Sequence, residues 1–137
     1  MTLRAYLVED SPTIRDNLIE ALREMAEAQP VGTAETEHEG RRWLTQNADG
    51  WDIAIVDLFL REGSGLNVIE ALQNARRPGQ RVVVLSNHSS RDVKWRCEQL
   101  GADAVFDKST EIEALVAFCT ATARSTLPRT ASAAVAA

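Results

Sequence analysis

Short apolar runs alternate with amphipathic helical patterns along this chain. Five runs have the length and composition of buried strands, at residues 4–9, 31–36, 52–57, 81–86 and 104–106. After these runs, apolar residues recur at spacings of three and four, as they do on one face of a helix. This alternation predicts an α/β fold, a doubly wound parallel sheet built from five βα units.

The first and last helices carry the clearest terminal signals. Ser11 and Pro12 are an N-cap residue followed by a proline at the first helical position. The apolar stripe of that helix comprises Ile14, Leu18, Ala21, Leu22 and Met25. Thr110 and Glu113 stand at the spacing of a capping box, which predicts that the last helix begins after Ser109.

The length and composition indicate one globular domain. The 137 residues are 45% hydrophobic and 26% charged, the balance of an ordinary folded protein. From residue 124 onward the chain consists mostly of Ala, Ser, Thr, Pro and Arg, with little to bury in a core. We therefore predict a folded domain over residues 1–123 and a flexible tail over residues 124–137.

The charge balance and the cysteines exclude several classes of protein. Fifteen basic and twenty acidic residues give a net charge of −5, which disfavours non-specific binding to nucleic acid or anionic membranes. No apolar run reaches the ~18 residues of a membrane span, and the N-terminus lacks the pattern of a signal peptide. Cys97 and Cys119 lack the spacing of a metal site. We expect a cytoplasmic protein without membrane insertion.

The predicted strand ends concentrate the candidate chemistry, because ligands of open parallel sheets bind beyond the carboxyl ends of the strands. The residues at these ends are Glu9, Asp10, Asp57, Ser86, Phe106, Asp107 and Lys108. Carboxylates gathered at one edge repel one another, which indicates a bound hard cation such as Mg²⁺. A hydroxyl and an ammonium group at the same edge are suitable partners for phosphoryl oxygens.

Four short motifs occur in order at these strand ends. They are Leu-Val-Glu-Asp-Ser-Pro at 7–12, Ile-Val-Asp-Leu-Phe-Leu at 55–60, Val-Leu-Ser at 84–86 and Phe-Asp-Lys at 106–108, with Gly65 eight positions after Asp57. Through this ordered set the chain resembles the receiver domains of bacterial response regulators, the signalling modules of two-component systems. The resemblance covers residues 3 to about 123. It implies a flavodoxin-like fold with strand order 2-1-3-4-5.

The resemblance also implies a phosphoacceptor site. Asp57 would accept a phosphoryl group from a phosphohistidine of a sensor histidine kinase or a histidine phosphotransfer protein. Asp10, Asp57 and the backbone carbonyl of Phe59 would hold Mg²⁺, with Glu9 assisting through water. Lys108 would pair with the phosphoryl group.

A switch follows from the same resemblance. Ser86 would hydrogen-bond the phosphoryl group, and Phe106 would rotate with Ser86. Two departures from the family pattern lie close by. Glu9 replaces the usual first aspartate, and Arg61 replaces the proline common four positions after the phosphoacceptor, which implies a more mobile loop.

Three further residues are expected to overlook the phosphate. Asn87 stands where the family has a small residue, so its amide either narrows the pocket or hydrogen-bonds the phosphoryl group. Phe59 and His88 are bulky, and we expect them to slow attack by water on the phosphorylated form.

The output is expected to be a protein contact. The tail is too short for a helix-turn-helix, so we expect a stand-alone receiver without direct DNA binding that catalyses only its own phosphorylation and dephosphorylation. Val93 is expected to face the core, and Trp95 lies about 200° further around the same helix, so we expect Trp95 on the outer face. The predicted output surface comprises Arg91, Lys94, Trp95 and Val105. Its partner would be a downstream protein or a second copy in a homodimer.

One alternative stays open. A receiver-like interaction module that is never phosphorylated would share the fold and act through constitutive contacts. The complete acidic set and Lys108 favour the phosphoacceptor, and a phosphate-dependent change in oligomer size or partner affinity would separate the two.

Overall fold

The fold is an α/β sandwich of one sheet between two layers of helices. The computed structural model describes residues 2–25, 28–87 and 90–123. In these ranges the strands are β1 (Leu3–Val8), β2 (Ala28–Ala34), β3 (Ile53–Asp57), β4 (Arg81–Ser86) and β5 (Ala104–Asp107). The helices are α1 (Pro12–Met25), α2 (Glu37–Gln46), α3 (Gly65–Leu72), α4 (Arg91–Gln99) and α5 (residues 112–123).

The sheet has the predicted topology. The five described strands form a single sheet in the order β2-β1-β3-β4-β5, and all neighbouring pairs are parallel. Because the order reverses between β1 and β3, the carboxyl ends of these two strands border the crevice where such folds bind ligands. The predicted flavodoxin-like fold is confirmed.

Each face of the sheet has its own apolar core. Leu18 and Leu22 of α1 and Leu115 of α5 pack on one face. Leu44 of α2 and Ile69 of α3 pack on the other, together with residues of α4. Burial of both faces explains why β3 and β4 are apolar almost throughout.

The second strand begins earlier than the predicted residue 31. Ala5 pairs with Pro30 and Tyr6 pairs with Gly32, so Val31 is an extra residue and the register shifts there. β2 lies at an edge of the sheet, where a proline is tolerated because one side of the strand needs no ladder hydrogen bonds. The proline and glycine therefore concealed a strand that starts at Ala28.

The predicted start of the last helix is wrong. The helix begins at residue 112. Before it, the Asp107 N–H donates to Glu111 Oε1 and the Glu111 N–H donates to the Asp107 carbonyl, whereas the predicted capping box joined Thr110 and Glu113. The Asp107 carboxylate accepts hydrogen bonds from the N–H groups of Ser109 and Thr110, and these bonds hold residues 108–110 in a turn before the helix starts.

Several predictions concern residues or side chains that the structure does not describe. These are the inward side chain of Met25, the role of His88 and the flexible tail at 124–137. Among the helices that the structure describes, none has the length and apolar character needed to cross a lipid bilayer.

Candidate functional site

Three predicted carboxylates meet at the carboxyl edge of the sheet. Glu9 and Asp10 follow β1 directly, and Asp57 is the last residue of β3. One oxygen from each carboxylate lies within 4.8 Å of the other two. Glu9 and Asp57 are only 1% and 2% exposed, whereas Asp10 is half-buried. The site therefore opens towards solvent on the side of Asp10.

Lys108 joins this cluster from the turn after β5. Its Nζ donates a hydrogen bond to Asp57 Oδ2 at 2.9 Å and forms an ion pair with Glu9 Oε1, also at 2.9 Å. Glu9 Oε1 is buried, and this ion pair is the polar contact that compensates its charge. The Lys108 N–H donates to the carbonyl of Ser86 at 3.0 Å, which fixes the backbone of this turn against β4.

Burial and nearby charges together shift the pKa values of Glu9 and Lys108. Burial raises the pKa of Glu9 to about 7; the Lys108 ammonium opposes this rise, and the Asp57 charge adds to it. Burial also acts to lower the pKa of Lys108, but its short polar contacts and charge interactions with Asp57 and Glu9 outweigh burial and raise that pKa. Lys108 is therefore a cation at neutral pH.

The residues present fit a divalent cation. The cluster offers oxygen donors alone, one from each of Glu9, Asp10 and Asp57. The described part of the site holds three carboxylates and one ammonium group, so negative charge is in excess when all are ionised. Oxygen ligands with excess negative charge are what Mg²⁺ prefers.

The remaining predicted residues lie around this cluster. Ser86 is fully buried at the end of β4 and pairs in register with Asp107 of β5. Phe106 lies on the face that α5 covers, with its ring edge-on to Phe118 at a centroid distance of 5.8 Å. Asn87 and Phe59 are exposed at the rim, and the Phe59 N–H donates to Asp57 Oδ1 at 3.3 Å.

The comparison with known proteins assigns the chain to a family. A family model for the response regulator receiver domain matches residues 5–120. The chain belongs to this family. It is a receiver domain of a response regulator, the role implied by the ordered motifs at the strand ends.

A curated relative agrees with this assignment. The receiver domain is 30% identical over 105 residues to the photosynthetic apparatus regulatory protein RegA from Rhodobacter capsulatus. The match covers 77% of this chain and 54% of RegA, so it spans about half the length of that relative.

Solved structures share the fold of the receiver domain. The receiver domain of NarL from Mycobacterium tuberculosis superposes with a TM-score of 0.74 at 24% identity, over 87% of this chain and 96% of that one. The receiver domain of the Luxo repressor protein from Vibrio parahaemolyticus gives 0.78 at 22% identity, over 96% and 98%. A response regulator from Burkholderia pseudomallei with a phosphorylated aspartic acid gives 0.72 at 20% identity, over 93% and 72%.

The predicted output residues of the receiver domain differ in exposure. Trp95 is 64% exposed on α4, opposite the buried Cys97, as the helical spacing predicts. Arg91 is also exposed, while Lys94 is half-buried. Val105 is half-buried and packs against the core beneath α4, so it offers only part of its side chain to a partner.

One residue beside the site of the receiver domain was missed by the sequence analysis, and another, Asp107, was named there only as a strand-end residue. Arg15 on α1 donates from Nη1 to the Glu9 carbonyl at 3.1 Å and pairs with Glu35 at 3.2 Å. Asp107 Oδ1 accepts hydrogen bonds from the N–H groups of Ser109 at 2.7 Å and Thr110 at 3.1 Å, which lowers the pKa of Asp107. An aspartate two residues before a serine is a turn signal that predicts this second arrangement.

Proposed function

We propose that this receiver domain accepts a phosphoryl group on Asp57 from the phosphohistidine of a sensor histidine kinase or a histidine phosphotransfer protein, in a reaction that requires Mg²⁺. The observation that carries this proposal is the Lys108 ammonium 2.9 Å from Asp57 Oδ2, beside two further carboxylates at the same sheet edge. The domain acts on itself alone, through its own phosphorylation and dephosphorylation.

The chemistry is a nucleophilic displacement at phosphorus. An oxygen of the Asp57 carboxylate attacks the phosphoryl group, the P–N bond of the donor breaks, and its electron pair stays on the imidazole nitrogen. An acyl phosphate remains on Asp57. The Lys108 ammonium stabilises negative charge on the transferring oxygens, so the domain contributes mainly positioning and electrostatics.

Asp10, Asp57 and the backbone carbonyl of Phe59 would hold Mg²⁺, with Glu9 acting through water. When bound, the ion supplies positive charge to the phosphoryl oxygens and offsets repulsion among the carboxylates. The oxygen-only donor set and the excess of carboxylates over ammonium groups in the cluster support this assignment.

Access to Asp57 depends on Lys108. Because Asp57 is only 2% exposed and its Oδ2 accepts from Lys108, we expect the ammonium to withdraw from that oxygen as the phosphoryl group arrives. The lysine side chain has a flexible four-carbon stem, so this movement requires no change in the backbone. The phosphoryl group enters past Asp10 at the open rim, and the 62%-exposed Phe59 limits entry of water there.

The effect of phosphorylation is then transmitted to the surface through the ends of β4 and β5. Ser86 and Asn87 form hydrogen bonds with the new phosphoryl oxygens, and Phe106 changes rotamer as Ser86 moves. The output surface, defined by Arg91, Lys94, Trp95 and Val105, then binds a downstream cytoplasmic protein or a second copy of the chain, and not DNA. The exposed Trp95 supports this surface because exposed aromatic residues are enriched in protein interfaces.

Phosphorylation by acetyl phosphate tests the proposal directly. The protein is incubated with the donor in MgCl₂ or in EDTA, and the mass of the intact chain is measured. We expect addition of one phosphoryl group in MgCl₂, none in EDTA and none for Asp57→Asn. Asp16→Asn, the same change at an exposed position of α1, is the matched control and is labelled like the wild type.

Two outcomes would contradict the proposal. Labelling of Asp57→Asn at the wild-type level removes Asp57 from its role. A folded wild type that takes no label from acetyl phosphate or a phosphohistidine donor favours the constitutive interaction module.

A further inference from the structure

The loop between β3 and α3 packs directly against the backbone of Asp57. Gly65 donates its N–H to the Leu58 carbonyl at 2.9 Å, and a Cβ at Gly65 would clash with the Asp57 carbonyl. Within the loop, Phe59 and Ser64 form an antiparallel bridge. The loop is therefore a narrow hairpin that begins at the phosphoacceptor and returns to it.

Few apolar contacts hold this hairpin. Phe59 and residues 61–63 are exposed, and Leu60 alone in this stretch packs against the core. Its position must therefore depend on polar contacts with a neighbouring element.

Glu37, the first residue of α2, provides these contacts. Its Oε1 accepts from the Ser64 N–H at 2.9 Å and from Asn67 Nδ2 at 3.0 Å, and its own N–H donates to the Glu62 carbonyl at 3.0 Å. Arg41 pairs with the other carboxylate oxygen at 3.1 Å.

The backbone of the hairpin is shaped to receive Glu37. Gly63 has a φ of +89°, and a Cβ at this position would clash with the Cβ of Glu37. Ser64, whose N–H is bound by Glu37, is also the N-cap of α3, with Oγ accepting from the Leu66 N–H. One carboxylate thus fixes both the return strand of the hairpin and the start of α3.

We propose that Glu37 is a positioning residue of the phosphoacceptor site. It holds the hairpin so that the Phe59 backbone stays against the Asp57 carboxylate, where the Phe59 N–H donates to Oδ1 at 3.3 Å. A charged acceptor suits this task because its hydrogen bonds to N–H groups are about twice as strong as those of a neutral acceptor. The consequence for metal binding rests on the proposed function, since the Phe59 carbonyl is its assigned ligand.

Amide hydrogen exchange in the absence of metal tests whether Glu37 holds the hairpin in position. We expect Glu37→Ala to accelerate exchange about tenfold at Ser64, because its N–H loses the hydrogen bond to Glu37, and at Phe59, because its N–H is no longer held against Asp57. Glu37→Gln keeps an oxygen acceptor and restores much of the protection. Arg41→Ala removes only the outer ion pair and exchanges like the wild type at both amides.

Calorimetric titration with Mg²⁺ alone tests the consequence. We expect the dissociation constant of Glu37→Ala to rise by about tenfold or more, as is usual when a residue that orients a metal ligand is lost. Arg41→Ala should bind like the wild type.

The two measurements separate the proposals. If exchange in Glu37→Ala is accelerated at Ser64 but unchanged at Phe59, the positioning role is overturned. The loss of Glu37 would then affect only the residue that it contacts directly and not the backbone beside Asp57. Unchanged Mg²⁺ affinity in that variant likewise overturns the positioning role. A wild type that binds no Mg²⁺ contradicts the proposed function. In that case the exchange rate of the Phe59 amide still tests whether Glu37 positions the hairpin.

Discussion

Lys108 places its ammonium nitrogen 2.9 Å from Asp57 Oδ2, although the two residues are 51 positions apart in the chain. The same nitrogen lies 2.9 Å from Glu9 Oε1, so one cation faces two nearly inaccessible carboxylates. Buried carboxylates repel each other and lose hydration, and the ammonium offsets both effects. The site is therefore held together by the group that we expect to stabilise the transferring phosphoryl oxygens.

Replacing this cation should destabilise the fold in the absence of divalent ions. Lys108→Ala leaves both carboxylates without their ion pair, and we expect the free energy of unfolding in EDTA to fall by about 3 kcal/mol. Lys94→Ala, which removes the other lysine of the chain, serves as the control. Urea unfolding followed by circular dichroism measures both. Equal stability of the two variants would show that the Lys108 pair contributes nothing.

Asp10 should have opposite effects with and without Mg²⁺. It is half-buried beside two buried carboxylates, and the Lys108 contacts go to those two. In EDTA, Asp10→Asn relieves repulsion, so we expect stability equal to or above that of the wild type. At a Mg²⁺ concentration one hundred times its dissociation constant the wild type gains about 2.7 kcal/mol, and the variant gains much less.

Urea unfolding of both proteins in EDTA and in MgCl₂ measures this reversal, with Asp16→Asn as the control. If Asp10→Asn gains as much stability from Mg²⁺ as the wild type does, Asp10 is not a ligand.

The residues of the site could be predicted because strand order alone brings strand ends together. Asp57 and Lys108 each follow an apolar run, and parallel strands deliver their carboxyl ends to one edge. The start of β2 could not be predicted in this way. Pro30 and Gly32 interrupt its pattern, and only the position of the strand at a sheet edge makes the proline acceptable.

Residues that act through polar contacts between distant elements escaped prediction. Glu37 contacts Ser64 and Asn67 across 27 and 30 positions, and its own surroundings read as an exposed acidic helix start. Hydrophobic periodicity reports which face of an element is buried, and it carries no information on which carboxylate meets which loop.

The turn that delivers Lys108 gives a further prediction. Asp107 accepts from the N–H groups of Ser109 and Thr110, and its own N–H donates to Glu111 Oε1 at 3.0 Å. We expect Asp107→Ala to accelerate amide exchange at Ser109 and to slow phosphorylation by acetyl phosphate, because Lys108 loses its fixed position. Asp107→Asn keeps the accepting oxygen and should behave like the wild type. Equal phosphorylation rates for all three proteins would contradict this role.

Glu37 should give a pH-dependent contribution to stability. The Asn67 amide and then the Ser64 N–H hold the pKa of Glu37 below its ordinary value of 4.5. A carboxyl group with a lowered pKa in the folded state stabilises the fold above its unfolded pKa, and this contribution disappears as the pH falls through the folded pKa. We expect the stability difference between wild type and Glu37→Gln to be constant above about pH 5 and to shrink below that value.

The size of this difference should stay under about 1 kcal/mol, because water screens a carboxylate at the protein surface. Urea unfolding of both proteins across this pH range measures it. A difference that does not change with pH would mean that the charge of Glu37 contributes nothing to stability.

Substitution by phenylalanine should destabilise the protein much more at one tryptophan than at another. Trp51 is 1% exposed and donates from Nε1 to the Leu44 carbonyl at 3.1 Å, so Trp51→Phe removes a buried hydrogen bond and leaves space in the core. We expect it to lower the free energy of unfolding by about 2 kcal/mol. Trp95 is 64% exposed, and Trp95→Phe should change stability by less than about 0.5 kcal/mol. Thermal and urea unfolding measure both, and a large loss for Trp95→Phe would mean that this residue supports the fold instead of presenting a surface to a partner.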